Sequence, residues 1–149
     1  MTNIKTRIQR AAACNSFPDW YVSELCDHDN RWSSDIRVKV TDPNNPTQKT
    51  WQSFKMVRVW HRLPDNTWIY GGGWRHHPNI TLSMMESHAI EMSFKGWIMG
   101  IPHGGAKGGI AFDPPNYSRE DIITITCKAV EKAVERNCLG PILIAGRRM

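Results

Sequence analysis

The feature that most constrains this chain is a change of hydrophobic period about midway along it. Between Asp35 and Val40, the residues Ile36, Val38 and Val40 face one way while Arg37 and Lys39 face the other. That period of two marks a half-buried strand. From Leu82 to Met99 the apolar or small residues Met85, Ala89, Met92, Gly96 and Met99 recur at spacings of four and three. They form one face of an amphipathic helix, with Thr81 or Ser83 as N-cap. Both patterns need a partner layer, so the sequence points to helices packed on a sheet.

The remaining elements fit between these two. Asp42-Pro43-Asn44-Asn45-Pro46 is turn chemistry, after which Trp51 to His61 returns as a second strand. Leu63-Pro64-Asp65-Asn66 turns again before a short strand from Thr67 to Tyr70. The first half therefore reads as an antiparallel run. Ahead of it, Ser16-Phe17-Pro18-Asp19 opens a short helix carrying Trp20, Tyr21 and Leu25. After the long helix, which stops before Ile101-Pro102, a glycine-rich loop leads to a short apolar strand at Ile110 to Phe112. Ser118-Arg119-Glu120-Asp121 is a capping box opening a second helix, with Ile123, Cys127, Val130 and Val134 as its buried stripe and Gly140-Pro141 as its end. The fold expected is α/β, a mixed sheet of early antiparallel strands followed by strand–helix units. At 149 residues it makes a single domain.

Composition removes several functions. The net charge of +5 and pI near 9.2 come from basic residues scattered singly, with Arg147-Arg148 the one adjacent pair. Nucleic acid needs a clustered basic footprint, so no such partner is expected. No apolar run approaches the roughly 20 residues that span a bilayer, and no secretory h-region opens the chain. The four cysteines form no CxxC pair and no zinc spacing, which suits a cytoplasmic protein with reduced thiols. Cys127 and Cys138 are expected as small buried hydrophobes. His76 and His77 point apart on a strand and lack a third ligand, so no metal is expected. The seven tryptophans, among them Trp60, Trp68, Trp74 and Trp97, read as core and interface anchors.

The chemistry concentrates in His103-Gly104-Gly105-Ala106-Lys107-Gly108-Gly109. Four glycines let the backbone approach a ligand closely and adopt positive φ. Such a loop can bring a lysine ammonium into a partly dehydrated pocket, where its pKa falls and it can polarise a carbonyl or activate water. Spacing alone leaves a tight turn with a solvated lysine equally open. Phosphate binding fits less well. Lys107 is followed by Gly108 rather than Ser or Thr, and adjacent Gly104 and Gly105 break the GxGxxG pattern. Lys95, near the C-terminal end of its helix, complements the helix dipole or pairs with a substrate carboxylate.

Three segments occur in order: Gly72-Gly73-Trp74-Arg75-His76-His77-Pro78, then Met92-Ser93-Phe94-Lys95, then Pro102 to Ile110 with Asp113-Pro114. In this order the chain resembles the N-terminal dimerisation and substrate domain of the glutamate/leucine/phenylalanine/valine dehydrogenases. The resemblance is dense from about Gly72 to Ser118 and looser from Asp35 onward. It implies that Lys107 is the catalytic lysine, that Lys95 holds the substrate α-carboxylate, and that Gly72 and Gly73 line the substrate pocket. Met92 takes a pocket-side position, or simply packs its helix. The domain implied covers residues 35–141, after an N-terminal helical segment at 1–34 and before a divergent tail at 142–149.

The activity implied is oxidative deamination of an L-amino acid to a 2-oxo acid with NAD or NADP. Two departures qualify it. The lysine that binds the substrate's side-chain carboxylate in glutamate-specific relatives is replaced by Gly71, which makes an apolar amino acid plausible. No aspartate follows Asp121, and residues 142–149 do not continue toward a cofactor domain. The expectation is a truncated or split product, inactive alone, in a homo-oligomer or with a full-length relative. The alternative is a non-catalytic oligomerisation module.

Overall fold

The computed structural model describes residues 4–15, 19–26, 30–42, 44–61, 70–101 and 103–139. In chain order the elements are α1 (Ile4–Asn15), α2 (Asp19–Cys26), β1 (Arg31–Asp42), β2 (Asn45–Trp60), β3 (Tyr70–Gly71) and β4 (Trp74–His76). Then come α3 (Leu82–Ile98), β5 (Gly104–Ile110), a 3-10 turn (Pro114–Asn116) and α4 (Arg119–Glu135). The proposed helix opening at 16–18, the turn at 63–66, the strand residues 67–69 and the tail lie outside the described residues. No described helix is long and apolar enough to cross a membrane.

The fold is α/β with one mixed sheet, as the sequence implies. β1 and β2 form a long antiparallel hairpin, with Arg31 opposite Val59 and Ile36 opposite Phe54. β5 joins β2 antiparallel, with Met56 opposite Ile110 and Trp60 opposite Ala106. The antiparallel run ends there. β3 and β4 pair with β5 in parallel, Tyr70 opposite Gly104 and Trp74 opposite Gly108.

The glycine-rich segment is the main correction: it is a strand in the middle of the sheet, not a loop leading to one. Its glycines serve close approach. A Cβ on Gly105 would collide with the Ala89 carbonyl and the Ser93 amide, so α3 rests directly on the strand's backbone. The positive-φ glycine among the described residues is Gly100, outside the segment.

Gly100 also ends α3. Its amide donates to the Trp97 carbonyl at 3.0 Å, and the Ile101 amide donates to that of Gly96 at 2.9 Å. This is a Schellman closure, one residue earlier than the proline boundary suggests. At the other end the Thr81 hydroxyl accepts the Met84 amide at 3.2 Å. The fully buried face of α3 is Met85, Ala89, Ile90, Ser93 and Gly96, while Met99 is 72% exposed.

Helices cover the two faces of the sheet. On one, Val57, Val59 and Ile80 pack with Met85 and Ala89 of α3. On the other, Ile36, Val38, Val40, Phe54, Met56 and Ile110 pack with α4. There the expected stripe is corrected. Asp121, Ile125, Ala129 and Ala133 are buried, Val130 is half-buried, and Ile123 and Val134 are 53% and 48% exposed. Small alanines let the helix come close to the sheet, and the larger side chains are turned outward. Cys127 is therefore exposed.

α4 closes at Asn137, with φ 54°, rather than at Gly140-Pro141. The Cys138 amide reaches the Ala133 carbonyl at 2.9 Å, which carries Cys138 into the core as expected. Near α3, Ile8, Tyr21 and Leu25 of the first two helices pack on Ile90. Trp60 and Trp74 pack on the α4-side core, whereas Trp97 is exposed and stacked on Tyr21. Trp68 lies outside the described residues.

Candidate functional site

The period of two sorts the β5 side chains. Gly105 meets Ala89 and Ser93, and Gly109 meets Ile80, so the odd-numbered residues face α3. Lys107, paired with Val59, stands on that face. It is the one long side chain in the strand.

Other segments converge on it. The Gly108 amide donates to the Gly73 carbonyl at 3.1 Å, which pins the glycine pair beside β5. A Cβ on Gly73 would stand 3.9 Å from Lys107 Nζ, so this glycine keeps the approach to the amine open. Gly72 lies tight against the strand, where a Cβ would overlap the Ala106 carbonyl. Lys95 comes from the last turn of α3 and is exposed.

Burial lowers the Lys107 pKa, and the charges of Arg75, Lys95 and Arg58 push it the same way, while Glu91 opposes them. A half-buried amine among cations holds its proton less tightly than a free lysine. It sits where an anionic substrate would relieve the repulsion. The structure thus brings Lys107, Lys95 and Gly73 together, with Gly72 supporting them. Met92 is half-buried on α3, off the fully buried stripe. At Gly71 the nearest group to an added Cβ is the His103 ring at 3.6 Å, and His103 Nδ1 lies 2.9 Å from the Gly104 carbonyl.

Sequence reasoning missed Arg75, Glu91 and Arg58 as charges acting on Lys107. Arg75 also lines a cavity of about 330 Å³ with His76, His77, Ile80, Met84 and His88. Its Nη1 lies 3.4 Å from His88 Nε2, and His88 Nδ1 lies 3.1 Å from Glu91. Glu91 is four residues before Lys95, so spacing alone places both on one helix face. A lone arginine between Val57 and Val59 in β2 was the available signal for Arg58. Its period-two neighbours Met56 and Trp60 are both apolar.

The histidines have structural partners. His76 Nε2 lies 3.3 Å from the Thr126 hydroxyl and its ring packs on Phe112, while His77 Nδ1 accepts the Asn79 amide at 3.1 Å. Among the described residues no group of three side chains could hold a metal ion.

Comparison with known proteins identifies the family and the fold. Residues 35–142 match the family profile for the Glu/Leu/Phe/Val dehydrogenase dimerisation domain. The NAD-specific glutamate dehydrogenase of Peptoniphilus asaccharolyticus is 41% identical over 58% of this chain and 19% of its own length. The NADP-specific glutamate dehydrogenase of Salmonella typhimurium is 37% identical over 71% of this chain and 22% of its own. The chain thus matches about a fifth of the length of these relatives. Two solved structures share the fold. Glutamate dehydrogenase 2 of Plasmodium falciparum gives a TM-score of 0.75 at 19% identity over 97% of this chain and 31% of its own. The leucine-bound hetero-hexameric glutamate dehydrogenase of Thermus thermophilus gives 0.73 at 23% over 95% and 32%.

Proposed function

The chain belongs to the Glu/Leu/Phe/Val dehydrogenase family through its dimerisation domain, and on that premise we propose that it supplies the substrate-side half of an amino-acid dehydrogenase active site. The reaction is oxidative deamination of an L-amino acid to its 2-oxo acid. Lys107 polarises the reacting carbonyl or imine and activates water, and Lys95 receives the α-carboxylate. Gly72 and Gly73 form the wall of the cleft, with Met92 lining it from α3. The observation that carries this reading is the half-buried Lys107 amine, lowered in pKa by burial and by neighbouring cations, 3.9 Å from the position a Gly73 Cβ would take.

NAD or NADP supplies hydride-transfer chemistry in the named relatives. The described residues do not fit that cofactor. The β5 glycines are engaged in the sheet with β2, β3 and β4, so they do not form the free amide cradle that a dinucleotide phosphate needs. The cofactor therefore belongs to another part of the assembly in this reading. Gly71, with His103 as its neighbour, brings no ammonium to the side-chain end of the cleft. This favours an apolar amino acid over glutamate.

The test is calorimetric titration of the purified chain with 2-oxo-4-methylpentanoate and 2-oxoglutarate, together with an amination assay containing ammonium and NADH or NADPH. Weak 2-oxo acid binding, favouring the apolar acid and lost in Lys95→Ala, is the expected result. Equal binding by wild type and Lys95→Ala overturns the site assignment. The description of the matched domain as a dimerisation domain supports a second reading, a non-catalytic module that assembles with itself or with a full-length relative. Stable association without any 2-oxo acid binding would favour it.

A further inference from the structure

Between β4 and the start of α3 lies a cavity that the Lys107 site does not use. Arg75 is paired with Gly109 in the parallel register of β4 and β5, so its side chain stands on the α3 face of the sheet. The chain then turns through His77 to Ile80 and enters α3, where Met84 and His88, four residues apart, share one helix face. These residues frame about 330 Å³, at the small end of the range for ligand pockets, about 300–1,000 Å³. Arg75 and His77 are exposed and Met84 and His88 half-buried, so the space opens to solvent.

Its polarity is one-sided. Arg75 is the permanent charge among the lining residues, and among the described residues no carboxylate lies within 4.0 Å of it. Its Nη1 gives a hydrogen toward His88 Nε2 at 3.4 Å, which leaves the His88 Nδ1–H to bond Glu91 at 3.1 Å. The Glu91 carboxylate is thus engaged through His88 and is not a wall of the cavity. The other guanidinium hydrogens have no acceptor among the described residues. His77 Nδ1 accepts the Asn79 amide, so the ring hydrogen of His77 sits on Nε2 as a further donor. Beside these donors, Ile80 and Met84 supply apolar surface, and no lining side chain is a carboxylate.

The geometry points to a binding site for a small monocarboxylate with a short aliphatic chain, its carboxylate on the Arg75 guanidinium and its chain against Ile80 and Met84. A guanidinium matches the two oxygens of a carboxylate. One fixed cation suits one negative charge, and the apolar surface penalises a strongly hydrated dianion such as phosphate. With no carboxylate in the lining, an α-ammonium would lack a counter-charge, so a plain carboxylic or 2-oxo acid is preferred to an amino acid. The cavity adjoins the Lys107 cleft without including Lys107 or Lys95. The two are coupled by charge. Arg75 is one of the cations that depress the Lys107 pKa, so a carboxylate held on Arg75 raises it.

The experiment labels the methionine methyls of the purified chain with carbon-13 and titrates sodium 4-methylpentanoate in place of chloride at constant ionic strength. Met84→Leu assigns the Met84 signal. That signal is expected to shift saturably. Arg75→Gln, at an exposed position, should remain folded and bind at least about tenfold more weakly. Sodium phosphate should give no saturable shift, and Lys95→Ala should bind as wild type. At saturation the methylated Lys107 amine should titrate at higher pH. The inference is overturned if the Met84 signal shows no saturable shift, if Arg75→Gln binds equally, or if phosphate binds as tightly. It is also overturned if binding is lost in Lys95→Ala and survives in Arg75→Gln, which would put the ligand in the cleft. An unmoved Lys107 pKa at saturation overturns the coupling. Binding in the cavity does not depend on Lys107 being catalytic, so the two assignments fail separately.

Discussion

Ser93 Oγ accepts the Gly105 amide hydrogen at 2.9 Å, and both residues are buried where α3 touches β5. The same oxygen donates to the Ala89 carbonyl at 3.2 Å and lies 3.1 Å from His61 Nδ1. One hydroxyl therefore joins the helix to β5 and to the residue that follows β2. Ser93→Ala leaves the Gly105 amide buried without this acceptor and should cost about 1–3 kcal/mol. Gly105→Ala drives a methyl into the helix backbone and should cost more. Urea denaturation of the two variants checks both the size and the order.

Lys107 should titrate below the ordinary lysine value of about 10.4. Burial is the first cause and Arg75 the second, so Arg75→Leu should raise the value, and Glu91→Gln should lower it further. NMR of the reductively methylated amine measures each directly. The sign for stability follows. A lysine with a depressed folded pKa opposes folding at pH values below it, and that cost fades as pH rises through it. Lys107→Met should therefore be more stable than wild type near neutrality, with the difference shrinking in alkaline solution.

Asp121 fixes the start of α4 to β1. Its Oδ1 accepts the Thr41 amide at 3.2 Å and its Oδ2 accepts the Ser118 hydroxyl at 2.8 Å, while Ser118 caps the helix by accepting the Asp121 amide at 3.1 Å. Burial raises the carboxyl pKa, but the hydrogen bonds from Thr41 and Ser118 outweigh it and leave the pKa lowered. Its stabilisation should be present above the unfolded value of about 3.9 and be lost as pH falls through the lower folded value. Asp121→Ala should cost about 1–3 kcal/mol at pH 7 and much less in strong acid. Denaturation across pH tests this.

The two faces of α4 make opposite predictions. Ile125→Ala, in the core, should cost about 2–5 kcal/mol. Ile123→Ser and Val134→Ser, on the outward face, should each stay within about 0.5 kcal/mol. Similar losses at all three positions would show that the outward face is covered by another surface.

Much of this architecture is legible in residue order because side chains announce it. Alternation at Ile36, Val38 and Val40 marks β1, and the caps at Thr81 and Ser118 mark both long helices. The failures share a cause. β5 has almost no side chains, so neither propensity nor periodicity can signal a strand, and glycines read as a loop. α4 offers two apolar stripes, and the larger residues Ile123, Cys127 and Val134 outweigh the alanines that the core selects. Lys107, Lys95 and the glycine pair are visible as ordered motifs. Their electrostatic neighbours are not, because Arg58, Arg75 and Glu91 meet Lys107 only once the strands and α3 are assembled.

The glycine strand gives the sheet a property of its own. Where Gly105 meets α3, Gly109 meets Ile80 and Gly108 meets Trp74, the sheet is only as thick as a peptide backbone. Helix and aromatic ring close over it from opposite sides with hardly any cushion between them. A shift of Trp74 or Arg58 on one surface is thus one backbone away from the amine on the other. The strand is a partition one peptide thick, with Lys107 on one side of it and Trp74 and Arg58 on the other.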